Sequence, residues 1–306
     1  MKSTSTRNFK RVSHLNEFDE IEEIIQYNLG NRGLSKVKLH GQMEACVNSL
    51  NESQTIVIVT GFPVKSAGVG ETDGPPGALA LAYALEKLNK EIIIVTDNFS
   101  EALIRAGAQS LQLKSDIYIV KEESIDGQSS EIISKYKPDH IIAIERPGRS
   151  KDNKCYSMYG DDITDYCPNT DLLFIKAKEN NIPTSAIGDG GNEVGIGKIK
   201  DIVEKYVNKG ELICAQFETD NLIVAGVSNW GAFGICAGLS ILNKTSFMLD
   251  EYEYDEMIKE VVKAGAVDGC TKINETTIDG LSYEENFNVF NKLKEFSERE
   301  MRKTYA

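Results

Sequence analysis

The sequence lacks the features by which proteins bind nucleic acids or cross membranes. Its 306 residues carry a net charge of −13, and no run of lysine and arginine interrupts that acidic balance. Nucleic acids and anionic membrane surfaces reward clustered basic residues. No apolar run approaches the roughly 20 residues that a membrane-spanning helix needs. We therefore expect neither a nucleic acid nor a membrane as a partner.

Cysteine and histidine are scarce, and their distribution excludes several kinds of site. The six cysteines stand without a CxxC pair, which is typical of reduced thiols in a cytoplasmic protein. The first twenty residues contain no apolar segment of a signal peptide. Only three histidines are present, and His140 begins a predicted strand. A histidine-based zinc site and a Ser-His-Asp triad are therefore disfavoured.

Familiar motifs for cofactors and nucleophiles are also missing. No GxGxxG follows the first predicted strand, and neither GxxxxGK[ST] nor GxSxG occurs. We predict no organic cofactor. Catalysis must then depend on carboxylates, lysine, arginine, tyrosine, cysteine or backbone N–H groups.

What the sequence does contain is an alternation of apolar runs and helical patterns. Short runs rich in β-branched residues predict strands at 55–61, 91–97, 116–120, 140–145 and 183–189, with two more at 211–217 and 221–229. Helical spacing between them, for example at 78–90 and 170–181, completes the pattern. Continuous apolar strands separated by helices predict an α/β fold: a mainly parallel sheet flanked by helices, three-layered and Rossmann-like.

The chain is predicted to be one α/β domain over residues 1–306. An N-terminal helical segment occupies 1–50, the sheet core 55–240, and C-terminal helices 241–306. No internal repeat or low-complexity linker divides these parts.

Polar and glycine-rich stretches follow the predicted strands, at the edge where open parallel sheets bind ligands. The stretch "GDGGNEVGIGK" (188–198) carries Asp189 and Glu193 among five glycines, and "ETDGPPG" carries Glu71 and Asp73. Glycine permits close backbone approach to a ligand. Alternatively, the first stretch is a flexible loop, and the acidic residues of the second only cap a helix.

Two arginines and a tryptophan complete the candidate site. Arg146 and Arg149 flank a Pro-Gly turn and could grip a carboxylate with their forked N–H groups, although a plain surface turn is the alternative. Trp230 could wall the site or simply pack. The residues predicted to bind substrate are Arg146, Arg149, Gly74, Gly77, Gly190, Gly191, Asn192, Lys198, Ser228, Asn229 and Trp230.

The motifs "TGFPV", "ETDGPPGALALAYAL", "IERPGRSKDNKCYSMYGDDIT", "IGDGGNEVGIGK" and "IVAGVSNWGAFG" occur in this order from about residue 55. Together they resemble the successive motifs of the D-glutamate cyclase family. The resemblance implies a lyase that cyclises glutamate, in its D form, to 5-oxoproline with loss of water. The implied partner is this small amino acid, and a homo-oligomer is compatible with the prediction.

This chemistry suits the candidate residues. Ring closure needs a base for the α-ammonium, a proton donor for the leaving oxygen, and positive charge or N–H donors beside the γ-carboxylate. Asp189, Glu193, Asp73 and Glu71 are the predicted catalytic carboxylates. The N–H groups at residues 75–77, which begin a helix, could hold the other substrate carboxylate.

A divalent cation is a further prediction for this edge. Asp73, Asp189 and Glu193 offer hard oxygen ligands that suit Mg²⁺ or Mn²⁺, whereas the substrate ammonium with arginine and lysine could balance their charge instead. Two rival functions stay open. One is a non-catalytic module that binds a small anion or nucleotide, and the other is a lyase or hydrolase acting on a different small carboxylic acid.

Overall fold

A computed structural model describes residues 16–303. Residues 1–15 and 304–306, which belong to the predicted N-terminal and C-terminal segments, lie outside the described residues. The strands are β1 (Thr55–Thr60), β2 (Pro63–Val64), β3 (Val69–Gly70), β4 (Glu91–Asp97), β5 (Asp116–Val120), β6 (His140–Ile144), β7 (Thr184–Gly188) and β8 (Asn221–Val224).

The helices surround this sheet. They are α1 (Glu17–Ile25), α2 (Gln42–Glu52), α3 (Pro75–Lys87), α4 (Glu101–Ser110), α5 (Ile125–Tyr136), α6 (Asp171–Glu179), α7 (Lys200–Tyr206), α8 (Gly210–Ile213), α9 (Ser228–Asn243), α10 (Glu251–Lys263) and α11 (Tyr283–Arg302). None of the helices within residues 16–303 combines the length and the apolar content needed to cross a bilayer.

Six parallel strands form the main sheet in the order β5–β4–β1–β6–β7–β8, and β2 pairs with β3 in a small antiparallel hairpin. From β1 the chain adds β4 and β5 on one side. It then crosses back and adds β6, β7 and β8 on the other side of β1. Ligands of open α/β sheets bind in the crevice at such a switch point. The topology therefore directs attention to the loops that follow β1 and β6.

Apolar side chains are buried on both faces of the sheet, which confirms the predicted three-layer α/β fold. Along β1, Ile56 and Ile58 pack with α1, α2, α3, α4, α9, α10 and α11 on one face. Val57 and Val59 pack with α5, α6 and α7 on the other face. This alternation follows from the two-residue period of a strand. The C-terminal helices α9, α10 and α11 lie on the same face of the sheet as Ile56 and Ile58.

The predicted strand at 211–217 is wrong. Its first half forms the short helix α8, and the backbone N–H groups after it bond to loops. Ala215 donates to the carbonyl of Gly191, and Gln216 donates to that of Arg149. Because these bonds replace strand pairing, the segment braces the loop after β7 instead of extending the sheet.

Candidate active site

Three carboxylates from separate loops meet at the switch point. Asp73 precedes α3, Glu145 directly follows β6, and Asp189 directly follows β7. Each offers an oxygen, and these oxygens lie within 4.8 Å of one another. All three side chains are buried. The structure therefore brings Asp73 and Asp189 together, as the sheet-edge argument predicted, and adds Glu145.

Asp73 and Asn229 exchange helix caps between α3 and α9. Asp73 accepts the backbone N–H of Asn229 at 2.8 Å and that of Ser228 at 2.9 Å. The Asn229 side chain in turn accepts the N–H of Gly74 at 3.0 Å and that of Gly77 at 2.7 Å. The start of α3, which was predicted to bind a substrate carboxylate, is thus occupied by the side-chain amide of Asn229. Gly74, Gly77, Ser228 and Asn229 hold the scaffold of the site.

Glu145 was not among the residues predicted from the sequence. Its backbone has a φ of 44°, a left-handed conformation that is uncommon for a residue with a side chain. The Ser228 hydroxyl donates to its carboxylate at 2.5 Å. The available signal was a glutamate placed directly after a buried strand. Strained backbone of this kind concentrates at functional sites.

Asp189 is paired with an arginine that sequence reasoning missed. The Arg32 guanidinium lies 3.3 Å from one oxygen of Asp189 and 2.6 Å from Asp279. The second oxygen of Asp189 is buried without a hydrogen-bond partner. Arg32 follows α1 and Asp279 precedes α11. Only the folded chain brings these distant segments to the switch point.

Burial and mutual repulsion raise the pKa values of these carboxyl groups. Burial, reinforced by Asp279 and Asp73, raises the pKa of Glu71 well above its ordinary value. Burial likewise raises the pKa of Asp189, against the opposing effect of Arg32. For Glu145, burial and nearby carboxylates raise the pKa in the same direction.

We call Glu71, Asp73, Glu145, Asp189 and Asp279 the acidic set. Arg32 is the arginine that ion-pairs within this set. Several carboxylates held together with so little compensation favour a positively charged ligand.

Glu193 has a different role from the predicted one. Its carboxylate folds back on its own loop and accepts the N–H groups of Asp189 at 3.0 Å, Gly190 at 2.5 Å and Gly191 at 2.7 Å. Beside it, Asn192 donates to the carbonyl of Tyr156 at 2.7 Å. Because these bonds shape the loop that presents Asp189, Glu193 is displaced from the predicted metal trio, and Glu145 stands in its place.

Arg146 does not face the cavity. It is fully buried and forms an ion pair with Asp97. It also donates to the carbonyl of Gly61 at 3.0 Å, to that of Pro168 at 3.1 Å and to the Thr170 hydroxyl at 3.1 Å. These bonds tie together the ends of β1 and β4 and the segment before α6, so Arg146 is structural.

Arg149 and Lys198 are also engaged with the protein itself. Arg149 donates to the carbonyl of Cys167 at 3.0 Å and pairs with Glu122 at 3.3 Å. The Lys198 ammonium donates to the carbonyls of Thr219 and Asp220. Neither side chain lines the cavity described below, whereas Arg32 does.

Trp230 packs inside the protein. Its side chain is fully buried, and its indole N–H donates to Asn286 at 3.0 Å. Tyr27 lies against it with ring centroids 6.2 Å apart. The predicted alternative that Trp230 walls the site is therefore wrong, and the packing role is the observed one.

A cavity of about 840 Å³ opens beside the acidic set. Glu71, Glu145, Arg32 and Asp279 line its charged part. The remaining walls come from the β2–β3 hairpin, from residues 157–166, from residues 269–272 and from Asn31, Asn192 and Asn208. A concave site with a few converging polar groups is the usual form of a small-molecule pocket.

The fold and this pocket define an α/β protein with a candidate ligand site, lined by carboxylates, at the switch point of its sheet. The chain belongs to the family described as D-glutamate cyclase-like, C-terminal, whose model matches residues 21–294. This membership confirms the resemblance carried by the sequence motifs.

Among known relatives, human mitochondrial D-glutamate cyclase is 33% identical over 245 residues, which cover 76% of this chain and 40% of that protein. The chain thus spans less than half the length of this relative. An exopolyphosphatase-related protein from Bacteroides fragilis has a TM-score of 0.43 at 13% identity, over 89% of this chain and 63% of that one. A 3-quinuclidinone reductase from Rhodotorula rubra has a TM-score of 0.29 at 12% identity, over 67% and 70% of the two chains.

Proposed function

We propose that this chain is a lyase that cyclises D-glutamate to 5-oxo-D-proline with loss of water. Family membership supports the reaction class. The observation that carries the proposal is the acidic set with Arg32 beside it. D-glutamate brings an ammonium for the carboxylates and carboxylates for the guanidinium, so its charges complement those of the pocket.

Arg32 binds the α-carboxylate of the substrate in this proposal. It lines the cavity, and its planar fork of N–H donors matches a carboxylate. This contact and the acidic set would hold the chain of glutamate curled, with its amine close to the γ-carbon. Proximity of this kind supplies a large part of the rate of an intramolecular reaction.

Glu71 moves the protons. Cyclisation removes two protons from the ammonium nitrogen, and the oxygen that leaves as water takes up two. A carboxyl group whose pKa is raised toward neutrality both accepts and returns protons efficiently. Glu71 lines the cavity, and burial together with Asp279 and Asp73 raises its pKa, so we assign it the transfer from nitrogen to oxygen.

Asp73, Glu145 and Asp189 form the proposed site for Mg²⁺ or Mn²⁺. Their oxygens are close enough for one ion, and one Asp189 oxygen is buried without a partner. Hard oxygen ligands without histidine or cysteine suit these ions. A bound cation would polarise the γ-carboxylate. This trio replaces the predicted one, in which Glu193 stood in the place of Glu145.

The test is incubation with D-glutamate and with L-glutamate, followed by chromatographic detection of 5-oxoproline. We expect product from the D form, with a loss of about 10²-fold or more in kcat for Glu71→Gln. Exhaustive chelation should abolish the activity, and added Mg²⁺ or Mn²⁺ should restore it. Full activity after chelation would remove the cation from the proposal. Binding without product from either enantiomer would favour the non-catalytic alternative.

A further inference from the structure

The cavity is larger than glutamate requires. Glutamate has about ten non-hydrogen atoms. If each takes the roughly 30 Å³ that one molecule occupies in liquid water, glutamate fills no more than about 300 Å³. The cavity measures about 840 Å³. Glutamate would therefore leave more than half of it empty, and pockets usually bury most of their ligand's surface.

The additional space has an apolar wall. It is formed by Phe62 and Val64 of the β2–β3 hairpin region and by Met158, Ile163 and Tyr166 of the segment before α6. Glutamate has only two methylene groups between its charged groups and cannot cover such a wall. An apolar lining in a ligand pocket indicates that part of the ligand is apolar.

The apolar wall adjoins the acidic set on two sides. The N–H of Glu71 donates to the carbonyl of Phe62 at 3.0 Å. On the other side, a Cβ atom at Gly190 would come within 2.6 Å of the Met158 sulfur, so Met158 lies against the residue next to Asp189. A substrate held by the acidic set can therefore extend onto this wall.

We propose that the pocket also cyclises γ-D-glutamyl amides, and in particular γ-D-glutamyl dipeptides whose second residue is apolar. This inference rests on the proposed function, because the glutamyl part occupies the same acidic set. The apolar side chain of the second residue packs on the wall. A γ-glutamyl-phenylalanine, with about 21 non-hydrogen atoms, needs about 600 Å³ by the same reckoning and fits the cavity.

Lys65 receives the carboxylate of that second residue. It is exposed and lines the cavity beside the wall, with its ammonium 5.9 Å from the centre of the Tyr166 ring. Its present partner is the carbonyl of Asp162, to which it donates at 3.0 Å. A carboxylate is a stronger partner for an ammonium than a neutral carbonyl.

The reaction balances without water. The α-amine nitrogen forms a bond to the γ-carbonyl carbon, and the bond from that carbon to the amide nitrogen breaks. The ammonium nitrogen gives up two protons to carboxylates, which return both to the departing nitrogen, so that it leaves as an ammonium. An amide is a better electrophile than a carboxylate anion, so the dipeptide should react faster than glutamate at the same site.

The test compares D-glutamate, γ-D-glutamyl-L-phenylalanine and γ-D-glutamyl-phenethylamide, which keeps the phenyl ring and lacks the second carboxylate. Production of 5-oxoproline is followed for the full chain. We expect kcat/KM at least tenfold higher for the dipeptide than for D-glutamate. Turnover of D-glutamate without turnover of either amide overturns this inference and leaves the proposed function intact. No product from any of the three overturns both.

Lys65→Ala separates recognition of the second carboxylate from the chemistry. It should raise KM for the dipeptide about threefold to tenfold, within the range of an exposed ion pair and a charge-assisted bond. KM for the phenethylamide and for D-glutamate should not change. The matched control is Lys151→Ala, since Lys151 is an exposed lysine outside the cavity lining. An equal effect of Lys65→Ala on all three substrates overturns the assignment of Lys65.

Discussion

Replacing Glu145 with glutamine should abolish activity and stabilise the free protein. Glu145 is buried, and one of its oxygens lies within 4.8 Å of oxygens of Asp73 and Asp189. Glutamine keeps the size of the side chain and an oxygen that can accept the bond from Ser228. The substitution thus removes one negative charge and preserves the packing and the main hydrogen bond.

The expected gain follows from the spacing. Two unit charges 4.8 Å apart repel by about 3 kcal/mol at an effective dielectric constant of about 20. Burial and the nearby carboxylates raise the pKa of Glu145, so the repulsion between two fixed charges is an upper limit. We therefore expect a gain of about 1–3 kcal/mol in the free energy of unfolding at pH 7. In thermal melts this corresponds to about 2–4 °C for each kcal/mol.

The sign of the pH dependence is fixed by the same shift. A carboxyl group whose pKa is raised in the folded protein opposes folding above the raised value. That opposition disappears as the pH falls to the ordinary pKa of glutamate, where both states are protonated. The gain from Glu145→Gln should therefore be present at pH 7–8 and shrink toward about pH 4.

Glu193→Gln is the matched control, with the opposite expected sign. Its carboxylate accepts three backbone N–H groups, and a glutamine offers only one acceptor atom for them. Leaving buried N–H groups unpaired costs about 1–3 kcal/mol. Thermal melts and urea titrations of both variants without added divalent cations provide the measurement. A lower melting temperature for Glu145→Gln would refute the electrostatic description of the acidic set.

Three other predictions follow from the positions of single residues. Arg32→Lys should raise KM for D-glutamate tenfold or more in steady-state kinetics. Arg146→Lys should lower the melting temperature and leave KM unchanged. A raised KM for Arg146→Lys with an unchanged KM for Arg32→Lys would contradict these roles. Burial lowers the pKa of His140 to about 4, so wild type should lose about 3 kcal/mol between pH 6.5 and pH 4 that His140→Gln does not lose, as judged by urea titrations. The fluorescence of Trp230 should not respond to saturating D-glutamate or 5-oxoproline, because its buried ring lies in the core.

The central sheet could be predicted from sequence because its strands are buried on both faces. Runs such as "TIVIVT" (55–60) carry four consecutive β-branched apolar residues at 56–59, and five of the six positions are buried, as expected of a strand covered on both faces. The segment 211–217, wrongly predicted as a strand, also contains an apolar run, at residues 212–215. Its backbone bonds to the loops at Gly191 and Arg149 decided its structure, and such distant partners leave no mark in local composition.

Only the part of the site that lies in loops directly after the strands could be predicted from the sequence. Asp73 and Asp189 could be predicted to lie together, because both stand in loops at the same edge of the sheet. Position after a strand does not show whether a guanidinium faces a cavity or is buried against a carboxylate, as Arg146 is against Asp97. Arg32 was missed because it reaches the site from the turn after α1, which follows a helix and not a strand of the sheet.

The exchange of caps between α3 and α9 bears on which ligand the pocket prefers. Helix N-termini attract anions through their free N–H groups and the helix dipole. Here the Asn229 amide oxygen occupies the start of α3, and the Asp73 carboxylate occupies the start of α9. An incoming phosphate would find these donors taken and would face the remaining carboxylates of the acidic set. This arrangement supports the proposed amino-acid substrate, which carries an ammonium beside its carboxylate, over a nucleotide phosphate, which does not.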